Sequence, residues 1–490
     1  MGAPTAVHGA QSTREAATPV THPLVGWVVL GWVGAMGMVL SGTRIGAVPD
    51  PHLALWWFSL PAGGSPIESV VFYVSVIMLV GAWLGLGRLA RAGQLTIGRA
   101  WMVLAVWGVP LLLGPPLFSR DLFSYVGQGL LAHHGLNPYT VAPSALGHGP
   151  LLSGIASVWR DTTSPYGPLF VGLSKGVAAV AGGSLAAQVV AFRALELIGV
   201  VLVMVSLPRL ARHLGTDPGL ALWLGALSPL FLFGFIASGH NDALMVGLLV
   251  AGVTLGVTGR LVPGLVLCAL AATVKLPAAA GVVFLAADQM GRLAGRSRWR
   301  VLGEAAAALV VVPAAVTLLV GYGWTWLGPT ALHIPTELRV LSTPSVSLGV
   351  LIFSVLHPLG IPVARSAVVT VTQDVVVAAT VAAVVWLLAT LRRHEVVRSL
   401  GLALILIVVG SPTLWPWYLT WGVVLLAATT AQRSKGLAVL AALAMLIVGP
   451  SGHPLLVGDW YVVVSFGTVA LVAWLVRGGR WRSVVTGYAT

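Results

Sequence analysis

LAAQVVAFRALELIGVVLVMVSL, residues 185–207, is an apolar run whose only charged members are Arg193 and Glu196. At a helical rise of about 1.5 Å per residue it reaches ~35 Å, enough to cross a hydrocarbon core of about 30 Å. Working outward, further apolar runs fall at 24–40, 68–87, 100–118, 219–236, 242–258, 261–275, 276–290, 301–320, 366–391, 400–410, 417–431, 436–449 and 460–476. Two more stretches, 166–182 and 345–363, are bracketed by Gly and Pro and could either cross or dip in and return. The runs predict an all-α, polytopic helical membrane protein with about 14 transmembrane helices.

Composition agrees. The 490 residues are 57% hydrophobic and only 8% charged, and the mean hydropathy is +0.94. A soluble domain carries nearer one quarter charged residues, so little chain is left for one. The domain expectation is a polar cytoplasmic tail at 1–21 and a single membrane domain at 22–490. The net charge of +13 does not signal nucleic-acid binding, because the cations sit in short clusters between apolar runs instead of one patch. A lone Cys268 excludes disulfides and cysteine metal sites.

Those clusters set the topology. With 166–182 and 345–363 taken as interfacial or re-entrant, roughly 19 of the 27 basic residues share one side, which the positive-inside rule places in the cytoplasm. Both ends are then cytoplasmic. The opposite side receives the long loops 41–67, 119–165 and 321–365 and the short stretches 411–416 and 450–459, rich in Trp, Pro, His and acidic residues. Long ordered loops on one face suggest a site. No G-x-x-x-x-G-K-[ST], no D-x-D and no strand–G-x-G-x-x-G–helix unit occurs, which argues against an ATP-driven pump and against a metal-dependent nucleotide-sugar fold. His133 and His134 are adjacent and point apart on a helix, so no metal and no cofactor are expected.

Fourteen acidic residues can be screened singly. Glu196 lies three residues from Arg193, the spacing of a helical ion pair. Asp121 stands in Phe118-Ser119-Arg120-Asp121-Leu122-Phe123-Ser124-Tyr125, where the third helix meets the outer surface. If 119–134 is helical, Asp121, Tyr125 and Gln128 share one face of an interfacial helix at headgroup depth. The spacing suits a catalytic carboxylate and a helix cap beside Arg120 equally. Gly135-Leu136-Asn137-Pro138-Tyr139, Ser164-Pro165-Tyr166-Gly167-Pro168 and Ser238-Gly239-His240-Asn241-Asp242 add short amides, carboxylates and aromatic faces of the kind that read sugar hydroxyls. Phosphate recognition at the outer rim would fall to Lys275, Arg339 and Arg120, although Lys275 also suits simple snorkelling.

The run from Ser119-Arg120-Asp121 through Tyr125, Gln128-Gly129, Asn137-Pro138-Tyr139 and Ser164-Pro165-Tyr166-Gly167-Pro168-Leu169 resembles the first large outer loop of the GT-C polyprenol-phosphomannose-dependent mannosyltransferases. Its nearest likeness is to the α-1,6-mannosyltransferases of bacterial lipoglycans. Gly239-His240-Asn241-Asp242, Val274-Lys275-Leu276-Pro277 and Ser411-Pro412…Trp415-Pro416-Trp417-Tyr418 are similar to later motifs, so the resemblance covers about 100 to 420. Two helices precede the Asp-bearing loop, where simpler members have one. The resemblance implies an inverting transfer of mannose from polyprenyl-phosphate mannose to a lipid-linked mannan acceptor on the outer face of the plasma membrane. Asp121 in the 119–165 loop would be the base. Lys275, Arg339 and Arg120 would meet the donor phosphate. His240, Asn241 and Asp242 would hold hydroxyls or orient the base, and Tyr125, Gln128, Asn137, Tyr139, Tyr166, Trp417 and Tyr418 would line the sugar and acceptor sites. A glycolipid transporter or flippase, with Glu196, Asp374 and Arg193 along its path, and an arabinosyltransferase of the same architecture are the alternatives.

Overall fold

The structure is a computed structural model that describes residues 21–43, 66–328, 343–391 and 395–452, with 45, 48, 462–464 and 467 besides. Residues 1–20 of the expected tail, Arg339 and most of the 460–476 run lie outside the described residues. Among the described residues the chain is helical, with no strand. Five helices are long and apolar enough to cross a bilayer: Pro23–Gly42, Pro66–Arg91, Leu185–His213, Arg296–Val320 and Arg365–Ala389. Pro218–Gly225 and Pro229–Ala237, bent by 51° where they meet, make a sixth if counted as one span. Shorter apolar helices of 10–17 residues fill in between them, Pro168–Ala181 and Pro344–Leu359 among them. The architecture is that of a helical membrane protein.

The run 219–236 is not one straight helix, and its break positions the site. Pro229 has no N–H to continue the ladder, while the Ser228 hydroxyl accepts from the Phe231 N–H at 3.3 Å and starts a new helix. That helix passes into a π-helical turn, Leu232–Ala237. Such turns are rare and frequently mark functional sites. Gly239 follows at φ +73°, a left-handed conformation that glycine adopts without penalty. The chain reverses there and delivers His240, Asn241 and Asp242, all fully buried, to the middle of the bundle.

The helix Asp242–Val257 then runs against Leu185–His213 at backbone contact. A Cβ on Gly199 would lie 2.1 Å from the Ala243 carbonyl oxygen, and one on Gly247 would lie 2.5 Å from that of Gly199. Small residues that let helix backbones touch are the usual adhesive where lipid removes the hydrophobic drive between helices.

The expected Arg193–Glu196 ion pair is not formed among the described residues. Arg193 instead reaches across to the end of the Ile97–Leu113 helix, where its guanidinium donates to the Leu112 carbonyl and, at 2.7 Å, to that of Gly114. The last carbonyls of a helix lack intrahelical partners and carry the negative end of its dipole, so they attract a buried cation more effectively than a carboxylate farther along the cation's own helix. The segment expected as an interfacial helix also differs. It is the helix Asp121–His133, with eleven of its thirteen residues buried in protein, so only its last turn keeps an outer face.

Gly199→Leu is expected to destabilise the fold by at least the ~1–3 kcal/mol of an overpacked core. Gly176→Ala, where a Cβ meets nothing within 4 Å, is expected to be neutral. Thermal unfolding of the detergent-purified variants reads the difference.

Candidate active site

Asp121 is delivered by a strained turn. After Gly114 the chain crosses Pro115 and Pro116 and is pinned by two backbone bonds, from the Leu117 N–H to the Ala237 carbonyl at 3.0 Å and from the Phe118 N–H to that of Pro450 at 2.9 Å. Phe118 has φ +65°, alone among the described non-glycine residues, and its ring is stacked 4.7 Å from that of Phe233. A bulky side chain in this region costs on the order of 1–3 kcal/mol and persists only where its surroundings over-determine it. The Ser119 hydroxyl accepts from the Asp121 N–H at 3.1 Å, and the helix begins.

Both oxygens of the Asp121 carboxylate face a nitrogen. The Trp159 indole N–H donates to Oδ1 at 3.0 Å, and Nδ1 of His240 lies 3.4 Å from Oδ2. Asp121 as a residue keeps 8% exposure, whereas His240 has none. The imidazole lies flat on Trp417, with centroids 4.0 Å apart, and Trp417 in turn stacks on Trp415 at 5.1 Å. Around this stack, both ring nitrogens of His240, the amide of Asn241 and the indole nitrogens of Trp415 and Trp417 are buried without a hydrogen-bond partner among the described residues. Native interiors rarely leave so many polar atoms unmet in one place, and donors and acceptors so grouped have the chemistry to bind a polar ligand.

Asp242 repeats the arrangement. Its Oδ1 accepts from the Trp421 indole at 2.6 Å and its Oδ2 from the Lys275 ammonium at 2.7 Å. The ammonium sits over the rings of Tyr418 at 4.4 Å, Tyr166 at 5.5 Å and Trp421 at 5.8 Å, a cation–π cage. Lys275 therefore does not snorkel toward the interface. Backbone bonds from Gly167 to Val274 at 2.9 Å and from Leu169 to Thr273 at 3.0 Å bring the two loops together and fix the lysine over Tyr166.

The other expected residues fall into three places. Tyr125 and Gln128 join the centre: the Tyr125 hydroxyl accepts from the Asn241 N–H at 3.3 Å, its ring meets Tyr166 edge-on at 5.4 Å, and Gln128 Oε1 accepts from the Ser164 hydroxyl at 2.9 Å. Burial pushes the Tyr166 phenol well above its ordinary range, with the Asp121 charge adding to the effect, so it remains a donor. Arg120 sits at the rim, where burial lowers its guanidinium below the ordinary arginine value and the charge of Arg160 pushes the same way. Asn137 and Tyr139 belong to a separate cluster with Tyr322 and Thr325: the Asn137 amide donates to Thr325 at 3.4 Å, and Tyr139 lies edge-on to Tyr322 at 6.5 Å. Arg339 is outside the described residues.

Sequence reading missed Trp159, Trp421, Trp415 and Ser164. The two indoles that hold carboxylates do so across 38 and 179 positions, and no local spacing reports such contacts. Trp415 and Ser164 stand inside motifs that had drawn notice for their neighbours. Among the described residues no three His, Cys, Asp or Glu side chains converge on a common point.

Residues 28–291 match the family described as alpha-(1→6)-mannopyranosyltransferase, N-terminal domain, and residues 345–477 match the MptB C-terminal domain. The chain belongs to the alpha-(1→6)-mannopyranosyltransferase family. It is 33% identical to alpha-(1→6)-mannopyranosyltransferase A of Mycobacterium tuberculosis, over 93% of this chain and 90% of that one. It is 32% identical to a probable alpha-(1→6)-mannopyranosyltransferase of Mycolicibacterium smegmatis, over 87% and 83%. Alpha-(1→6)-mannopyranosyltransferase A of Corynebacterium glutamicum is 30% identical, over 84% and 88%. No solved structure matches the chain. Asp121, Trp159, His240, Asp242 and Lys275 lie within the N-terminal match of this mannosyltransferase family, and Trp415, Trp417, Tyr418 and Trp421 come from the C-terminal one.

Lys275→Met leaves Asp242 charged and buried, and breaking a buried pair in this way costs about 3–5 kcal/mol. The variant is expected to unfold at markedly lower temperature, with Asp242→Asn in the same chain recovering part of the loss.

Proposed function

We propose that this protein transfers mannose from polyprenyl-phosphate mannose to a lipid-linked mannan, forming α-1,6 linkages, with Asp121 as the base. The observation that carries the reading is the Asp121 carboxylate itself, fixed by the Trp159 indole on one oxygen, with His240 3.4 Å from the other, beside buried donors and acceptors that have no hydrogen-bond partner among the described residues. Family membership supports mannosyl transfer over transport, and the relatives' names supply the linkage.

In this account the acceptor hydroxyl attacks the anomeric carbon of the β-linked donor while its proton passes to Asp121. The bond from that carbon to the phosphate oxygen breaks with its electron pair, polyprenyl phosphate departs, and inversion leaves an α linkage. Arg120, with Arg160 beside it, meets the charge that grows on the leaving phosphate, and Arg339, outside the described residues, is the further cation proposed for it. Lys275 is already neutralised by Asp242, so its part is to hold that carboxylate until a phosphate competes for it. His240, Asn241 and Asp242 face the donor sugar. Tyr125, Tyr166, Trp417 and Tyr418 back the sugar site as a packed aromatic wall, Gln128 holds the loop through Ser164, and Asn137 and Tyr139 receive the acceptor chain farther out.

Placement follows the same reading: about 14 crossings of the plasma membrane, cytoplasmic ends and an outward-facing site. The helix Pro168–Ala181, about 21 Å long at its 14 residues, is too short for the core and suits an interfacial role.

Asp121→Asn keeps the shape and removes the base. Membranes containing the variant are expected to lose mannose transfer from labelled polyprenyl-phosphate mannose by at least ~100-fold at normal expression. Transfer at the wild-type rate would remove Asp121 from the mechanism.

A further inference from the structure

Trp159 has no role in anything said so far beyond its bond to Asp121, yet its placement is specific. It lies in the short helix Ser157–Arg160, within the loop that folds back over the Asp121 helix, and it is 7% exposed. That loop is itself tied down. The Arg160 guanidinium donates to the Ile155 carbonyl at 3.1 Å and to that of Ser153 at 3.2 Å, and the Ser164 N–H donates to the Pro138 carbonyl at 2.8 Å. The indole is therefore anchored at both ends of its segment, and its one polar atom is aimed at Oδ1.

We infer that Trp159 is a positioning residue for the reaction, one that makes Oδ2 of Asp121 the oxygen that takes the acceptor's proton. This rests on the reading of Asp121 as the base. A carboxylate on a short side chain can rotate about its last bond and exchange its two oxygens. A charge-assisted hydrogen bond of 3.0 Å from a buried, anchored indole stops that rotation and occupies Oδ1. Among the described residues Oδ2 has only the His240 ring, and at 3.4 Å that contact is too long to compete with an incoming hydroxyl. The indole thus holds the base in its reactive orientation before the acceptor arrives. A purely apolar side chain of equal shape would fill the same space without doing so. Asp242 provides an internal comparison. It has the same indole bond, but its second oxygen is taken by Lys275 at 2.7 Å, so that carboxylate is held with no oxygen left open.

The test removes the N–H and keeps the ring. Trp159→Phe, and the same position carrying 3-benzothienylalanine, an isostere of tryptophan with sulfur in place of N–H, are assayed with labelled polyprenyl-phosphate mannose beside Asp121→Asn. Trp324→Phe, at an exposed outer tryptophan, is the control. Both Trp159 variants are expected to lose about tenfold to a hundredfold in kcat with KM for the donor unchanged, and the benzothienyl protein, which keeps the ring volume, to unfold at the wild-type temperature. Wild-type kcat in the benzothienyl protein, with Asp121→Asn inactive, would overturn the role of Trp159 and leave Asp121 as the base. A fall in KM-dependent binding or stability alone would also overturn it, since packing would then explain the contact. An active Asp121→Asn variant would instead overturn the reading on which the inference rests.

Discussion

A carboxylate buried in a helical bundle needs donors for its oxygens, and the two central carboxylates of this protein are supplied in parallel ways. Each has an indole N–H on one oxygen and a side-chain nitrogen near the other: Trp159 and His240 for Asp121, Trp421 and Lys275 for Asp242. The difference between them is one of distance. Lys275 closes on Asp242 at 2.7 Å, whereas His240 stands 3.4 Å from Asp121, so the second oxygen of Asp121 is held more loosely than that of Asp242. Much of the surrounding backbone serves this pair. The left-handed turns at Phe118 and Gly239 aim the two segments at each other, and the broken helix before Gly239 brings His240 in from the side.

Packing in such a protein cannot rely on expelling water from between helices. Gly199 and Gly247 instead allow backbone contact between Leu185–His213 and Asp242–Val257, and the second of these helices begins at Asp242. Arg193 ties the first to the end of the Ile97–Leu113 helix, one short turn before Phe118. The same two long-range contacts thus hold both sides of the site, and errors in their spacing would be transmitted to the carboxylates.

The helical class and most helices were legible because apolar runs report themselves locally, and so was Asp121, as a carboxylate with Tyr125 and Gln128 one and two turns on. Three things were not. The 219–236 run reads as one helix by hydropathy, but Ser228 and Pro229 break it, and turn chemistry of that kind is overridden or expressed according to what packs around it. Arg193 had a carboxylate at the right spacing on its own helix and chose carbonyls about 80 positions away, because helix ends are strong acceptors that periodicity does not show. Trp159 and Trp421 look like any of the 19 tryptophans until the fold brings their N–H groups to a carboxylate. The family match was legible for the opposite reason: its motifs are short and local.

The central claim is that the donor's anomeric carbon comes to Asp121. A cryo-EM structure of the full chain in lipid nanodiscs, bound to a non-hydrolysable polyprenyl phosphonate analogue of the mannose donor, measures this directly. The expected result is a sugar seated against Asp121, with room for an acceptor hydroxyl about 2.6–3.2 Å from the carboxylate and the phosphonate toward Arg120. A sugar lodged elsewhere, with Asp121 sealed from it, would contradict the account.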